Sequence, residues 1–276
     1  METKSTLPKV FNNTANKQTF LNVFLSEVKN YFNKPRFCIS LIVSMILGGF
    51  LGIGLTYMVI TISTNFQIVK ENLFPEHICS SIYFTYNIFV ICFSYCTMSA
   101  LCKEFGDNSI KSSLLVVPNR MLLFASKILT WTITAFCAAL ILGLVNILYF
   151  FIMGYSGGIT SDILTTILLA CFSSSLIIIV VAGIAFIGRA TNISFLIFVF
   201  LFFIGGTICN QLANFAQPPI SDIINFISNN LIGHTLNSPN LVVSDIKQAW
   251  INLGVTSLWS IAGIVLGFLR FKKYHG

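Results

Sequence analysis

Charge is what this sequence has least of. Asp, Glu, Lys and Arg make up 9% of its 276 residues and hydrophobic residues 55%, where soluble domains carry about 25% charged residues. No water-soluble core absorbs that much apolar surface, so the soluble globular classes are excluded. The long apolar runs contain no Asp, Glu, Lys or Arg except Lys127 and Arg270 near their ends. Ion-driven carriers keep an ionisable residue inside the membrane, which disfavours secondary proton coupling. A P-loop is missing as well: the Gly-rich stretches Gly48–Gly54, Gly157–Gly158 and Gly205–Gly206 lack the following Lys of G-x-x-x-x-G-K-[ST]. If ATP drives this protein, another polypeptide holds the nucleotide. Neither H-E-x-x-H nor G-x-S-x-G occurs, and His77, His234 and His275 stand isolated, leaving no enzyme constellation. The cysteines (Cys38, Cys79, Cys92, Cys96, Cys102, Cys137, Cys171, Cys209) include no C-x-x-C pair and fall in or beside apolar runs. That placement suits small apolar fillers better than a disulfide framework or a metal site. The first 36 residues hold no short apolar stretch followed by a cleavage site, so the first long run is expected to direct insertion itself.

What is present is six apolar stretches long enough to cross a hydrocarbon core, which takes about 20 helical residues. They lie near Phe37–Thr64, Ile78–Cys102, Met121–Met153, Ile163–Ile187, Ile193–Leu212 and Ala249–Phe271. Lipid offers no partner to unpaired amides, and the unbroken runs lack the alternation of barrel strands, so an all-α integral membrane fold with six transmembrane helices is expected. Fourteen of the sixteen Lys and Arg residues fall on one side of this arrangement, leaving only Lys70 and Lys247 on the other. The bias predicts both ends in the cytoplasm of a cell, with residues 1–36 as an N-terminal segment and 272–276 as a short tail. The net charge of +7 is read as an orientation signal and not as a nucleic-acid surface.

Three segments outside the runs carry further information. Between Thr19 and Phe32, the residues Phe20, Phe24, Val28, Tyr31 and Phe32 recur at helical spacing, with Asn22, Ser26, Lys29 and Asn30 mostly opposite. An interfacial elbow helix with Lys29, Lys34 and Arg36 near anionic headgroups is expected, and Pro35 gives it a bent exit; a solvated lead-in is the plainer alternative. In the second segment, 103–127, Asp107 or Asn108 can cap a short helix whose Ile110, Leu114 and Val117 share a face and which Pro118 ends. An ordinary solvated loop fits the same residues. The third, 214–248, alternates turn residues with apolar pieces too short to span, and short helices dipping into the outer leaflet are expected there. Among polar residues near or within the spans, Thr56, Tyr57, Asn87, Tyr95 and Asn210 are candidates to line a pathway. Thr132, Asn146 and Ser173–Ser175 stand beside them as candidates, and hydrogen bonding between helices is the plainer reading of such residues.

The segment from Glu104 to Lys127 resembles a pattern found in the ATP-binding-cassette type-2 exporter permeases, G-T-x-K-x-x-L-x-x-P-x-S-R followed by a Lys and usually preceded by a Glu. Lys111, Leu114, Arg120 and Lys127 stand at matching positions and Glu104 supplies the upstream acid. Asn108, Ser109 and Asn119 depart from Gly, Thr and Ser, and Pro118 falls one place late. The likeness extends over the chain, through the elbow, the six spans and the turn-rich segment before the last one.

The resemblance implies a coupling helix over 107–115 that contacts a separate ATPase subunit. Glu104, Phe105, Gly106, Asp107, Asn108, Ser109, Ile110, Lys111 and Leu114 would form that contact, with the elbow helix beside it. It further implies ATP and Mg in the partner ATPase and no cofactor in this chain. A second, identical or sister, permease would complete the transporter, with a route between the first, second and fifth spans. The implied function is export across a bacterial plasma membrane. Abundant Phe, 27 residues, points to a hydrophobic or amphipathic cargo such as a peptide, bacteriocin, antimicrobial or lipid-like compound. A secondary carrier and a non-transport membrane protein or enzyme are the alternatives.

Overall fold

The computed structural model describes residues 19–63, 75–107, 109–155, 157–215, 217–218, 220–231, 233, 242 and 245–273; for 59–63, 206, 207, 210 and 213 this covers the backbone alone. All regular structure among them is helical: α1 (Phe20–Phe32), α2 (Pro35–Ser63), α3 (Pro75–Gly106), α4 (Ser109–Val116), α5 (Arg120–Ile152), α6 (Ser161–Gly188), α7 (Thr191–Val199), a π-helical turn (Phe200–Ile204), α8 (Gly205–Phe215), α9 (Ile220–Asn229) and α10 (Ile246–Lys272). Five of these, α2, α3, α5, α6 and α10, are long and apolar enough to cross a membrane.

Local chemistry sets the helix starts. Pro35 opens α2, a first-turn position that needs no amide donor. Asn119 begins α5 by accepting the Leu122 amide, and Asp245 accepts the amides of Lys247 and Gln248 at the start of α10. At the opposite ends, Arg189 caps α6 in the left-handed region at φ 54°. Its guanidinium donates to the Arg270 carbonyl at 3.0 Å, and Arg120 donates to the Lys272 carbonyl. These arginines answer the orphan carbonyls and negative dipole end of α10.

Helix α6 forms the centre and packs on α3, α5 and α10, with Leu169, Ile177, Ile178, Val181 and Phe186 fully buried. Small residues allow this closeness. A Cβ on Gly183 would come within 2.4 Å of the Gly263 carbonyl oxygen on α10. On α2, Gly48 and Gly52, one turn apart, bring α3 equally near: a Cβ at Gly52 would meet Thr85 Oγ1 at 2.3 Å and its Cα at 2.4 Å. The polar residues inside the bundle bridge helices. Asn146 of α5 accepts from Ser81 at 2.6 Å and Thr85 at 3.3 Å, both on α3, and donates to the Leu142 carbonyl at 2.8 Å. Ser260 of α10 donates to the Leu176 carbonyl of α6 at 2.8 Å.

The fifth expected span departs from a single α-helix over Ile193–Leu212. After Val199 the chain widens into a π turn, and the Gly205 amide donates to the Phe200 carbonyl, five residues back. Phe200, Leu201, Phe202, Phe203 and Ile204 are all bulky, whereas Gly205 has no Cβ; one there would stand 3.1 Å from the Phe200 oxygen. Beyond it, α8 packs mainly on α9, and Trp259 of α10 donates to the Asn230 carbonyl at 2.9 Å just past α9. Of the outer segment expected to hold short helices, α9 is one; most of 232–244 lies outside the described residues. So do 1–18 at the N-terminus and 274–276 in the tail.

Candidate functional site

The end of the bundle that carries α1 and α4 is held by a buried charge cluster. Lys127, in the second turn of α5, is 1% exposed. Its Nζ lies 2.9 Å from Glu27 Oε2 on α1 and 2.8 Å from Glu104 Oε2 in the last turn of α3. Lys34, between α1 and α2, reaches Glu104 Oε1 at 3.7 Å and is about half exposed. Two carboxylates and two ammonium groups thus balance. Dehydrating one Lys in this setting costs several kcal/mol, offset only because both acids converge on it. The packing around the cluster is aromatic: Tyr31 and Phe37 lie 5.1 Å and 5.0 Å from the Trp131 ring, centroid to centroid. The ammonium groups of Lys34 and Lys127 sit 5.3 Å and 5.5 Å from the Tyr31 ring, within cation–π range. Burial pushes the Tyr31 hydroxyl far above the ordinary phenol range, so it stays neutral beside the carboxylates.

This cluster was missed from the sequence. Helix α1 turns Val23, Glu27 and Tyr31 into the bundle at successive four-residue steps; of the elbow face read from the sequence, Tyr31 belongs to that stripe, Phe20 and Phe32 are exposed, and Phe24 and Val28 are half-buried. Lys127, read as a cation at a span end, continues the inward stripe of Leu123 and Trp131. In both helices an ionisable residue falls four positions from buried apolar ones, and that was the available signal. Their pairing spans 100 residues of sequence, beyond the reach of any local pattern.

Helix α4 follows α3 and packs on α3 and α5. Ile110 is buried, Leu114 packs on the core and Val117 follows it inward, while Lys111 is exposed. Phe105 is buried against Phe186, edge to face at 5.7 Å, and Gly106 and Asp107 are exposed at the turn into Ser109. Asn108 lies outside the described residues. Glu104, among the expected partner contacts, is buried in the charge cluster.

Two adjoining cavities open at this end. The first, about 680 Å³, is lined by Tyr31, Lys34, Arg36, Lys103, Glu104 and Asp107 among others. The second, about 520 Å³, is almost wholly apolar and runs along α2, α3 and α7. Arg36, Ser40, Tyr95 and Cys96 line both. Tyr95 meets Phe195 of α7 edge to face at 5.3 Å. Of the candidate pathway residues, Tyr95 alone stands at these cavities. Thr56 is buried and donates to the Gly52 carbonyl at 2.9 Å, Asn87 donates to the Tyr83 carbonyl at 3.1 Å, and Tyr57 is exposed. The Asn210 side chain lies outside the described residues. All eight cysteines are free thiols, and no group of three or more His, Cys, Asp or Glu is placed to hold a metal among the described residues. The chain matches no known family model and no curated protein.

Proposed function

We propose that this chain is the membrane subunit of an ATP-driven exporter of the type-2 cassette class, working with separate ATPase chains and a second permease. In this reading there are six spans, the fifth being the broken helix of α7, the π turn and α8. Both ends lie in the cytoplasm, and a hydrophobic or amphipathic cargo leaves the cell. The observation that carries the reading is the Glu27–Lys127–Glu104 cluster. It joins α1, the end of α3 and the start of α5 around the root of α4. A load applied to α4 from below is then shared by α3 and α5, because those two helices bracket it and are clamped to each other. ATP and Mg stay in the partner, and this chain contributes the moving surface. The cavities between α2, α3 and α7, with Tyr95 and Phe195 on their wall, are the cargo entrance.

The test is capture of the tagged full chain in mild detergent followed by an ATPase assay. Wild type is expected to bring down an ATP-hydrolysing subunit. Asp107→Lys with Lys111→Glu is expected to lose it, and Leu114→Ala is expected to deepen the loss when added. Both charges are exposed, so the reversals leave the fold intact. Correctly inserted wild-type chain that captures no ATPase overturns the reading and returns the carrier and enzyme alternatives to the front.

A further inference from the structure

The two adjoining cavities differ in chemistry in a way that export of a neutral hydrophobic compound does not require. At the mouth, Glu104 is already matched by Lys127, and Lys34 joins the same cluster. Arg36 and Lys103 remain, both exposed and without an ion pair among the described residues, facing the single exposed acid Asp107. The mouth is therefore net positive. Behind it, Ile39, Val43 and Leu47 follow one another at four-residue steps along α2, opposite Ile91 of α3 and Phe195 of α7. From Arg36 to Leu47 is eleven residues, roughly 16 Å of helix, and from Lys103 back to Ile91 roughly 18 Å. One leaflet of hydrocarbon is about 15 Å deep. Both helices thus place a cation at the headgroup level and an apolar wall through one leaflet's depth.

We propose that this groove holds an anionic phospholipid, its phosphate between Arg36 and Lys103 and one acyl chain along Ile39, Val43 and Leu47. A free phosphate has no use for the apolar arm, and a neutral amphiphile has no use for the two cations. Ile39, Val43 and Leu47 are also exposed at the bundle surface, where bilayer lipid is the surrounding solvent and reaches the groove without crossing protein. The leaflet concerned is the inner one under the topology proposed above, on which this assignment rests. A lipid seated here lies against Tyr95 and Phe195, so it occupies the cargo entrance until displaced.

Native mass spectrometry of the purified full chain in neutral detergent tests this, with phosphatidylglycerol and phosphatidylcholine of identical acyl chains offered in equal amounts. Wild type is expected to retain one phosphatidylglycerol with about a tenfold preference, from two cations near the phosphate. Arg36→Gln with Lys103→Gln is expected to bring the preference close to unity at unchanged melting temperature. Val43→Trp, which fills the arm and leaves the charges, is expected to lose both lipids. Equal retention by wild type, a preference that survives the double Gln variant, or lipid retained by V43W overturns the proposal. Displacement of the lipid by millimolar inorganic phosphate also overturns it, in favour of a headgroup site alone. Should the double Gln variant not fold, the wild-type comparison and V43W decide. No ATPase is present in this measurement, so lipid retention and ATPase capture fail separately.

Discussion

Lys127→Met is expected to destabilise the chain by about 3–5 kcal/mol, the range for removing one partner of a buried ion pair. The substitution keeps the volume and the apolar stem but leaves the two largely buried carboxylates of Glu27 and Glu104 facing each other, with Lys34 at 3.7 Å as the nearest remaining cation. The carboxylates must then protonate or pull α1 off the bundle. A melting curve in detergent, with the amount of chain recovered from membranes, reads the loss. Neutralising the whole cluster (Glu27→Gln, Glu104→Gln and Lys127→Met together) is expected to recover most of it, because no uncompensated charge stays buried. A K127M chain that melts with wild type would show that the cluster is solvated and does not clamp the helices. If the proposed exporter reading holds, capture of an ATPase by the triple variant is a separate readout, and folded triple variant that binds one without driving export would place the cluster in force transmission.

The second large effect lies at the α2–α3 contact. Gly52→Leu forces a side chain into a space where the first added carbon already stands 2.4 Å from the Thr85 Cα. Backbone cannot rotate aside as a side-chain tip can, so the two helices must separate, at a cost of about 1–3 kcal/mol or more. Gly54→Leu is the control on the same helix: nothing lies within 4 Å of a Cβ there, and the change is expected to stay within about 0.5 kcal/mol. Equal melting temperatures for the two variants would mean that α2 does not approach α3 as closely as described. Separation of α2 from α3 also widens the groove they share, so G52L is expected to weaken lipid retention as well as stability.

Much of the architecture was legible because lipid imposes one rule everywhere. Each long apolar run had to be a helix, and Pro35 marked the bend before the first of them; the caps Asn119 and Asp245 emerged only from the structure. The short helix after α3 was one of two readings of Ile110, Leu114 and Val117 between a cap candidate and Pro118, and the structure chose it over a loop. The break in the expected fifth span was not legible, since hydropathy counts Phe200–Ile204 as apolar whether its amides bond four or five residues back. The charge cluster was hidden for a different reason. A Lys on an apolar stripe reads as an interfacial cation until its partners are known, and Glu27 stands on a segment outside every span. Likewise Tyr95 was picked out as polar, but only the third dimension put it beside Phe195 and Arg36.

The cluster also orders events while the chain is being made. Glu27 emerges 100 residues ahead of Lys127, which at roughly 5–20 residues per second is on the order of 5–20 s of synthesis. Throughout that interval Glu27 lacks the ammonium it pairs with in the finished fold. Glu104 follows, with Lys34 already made but Lys127, its nearer partner, still to come. Arrival of Lys127 supplies the ammonium for both acids, so the charged part of the N-terminal helix's docking comes only with α5. A ribosome stalled before that point leaves an intermediate whose two acids remain open to water, to chaperones and to proteases.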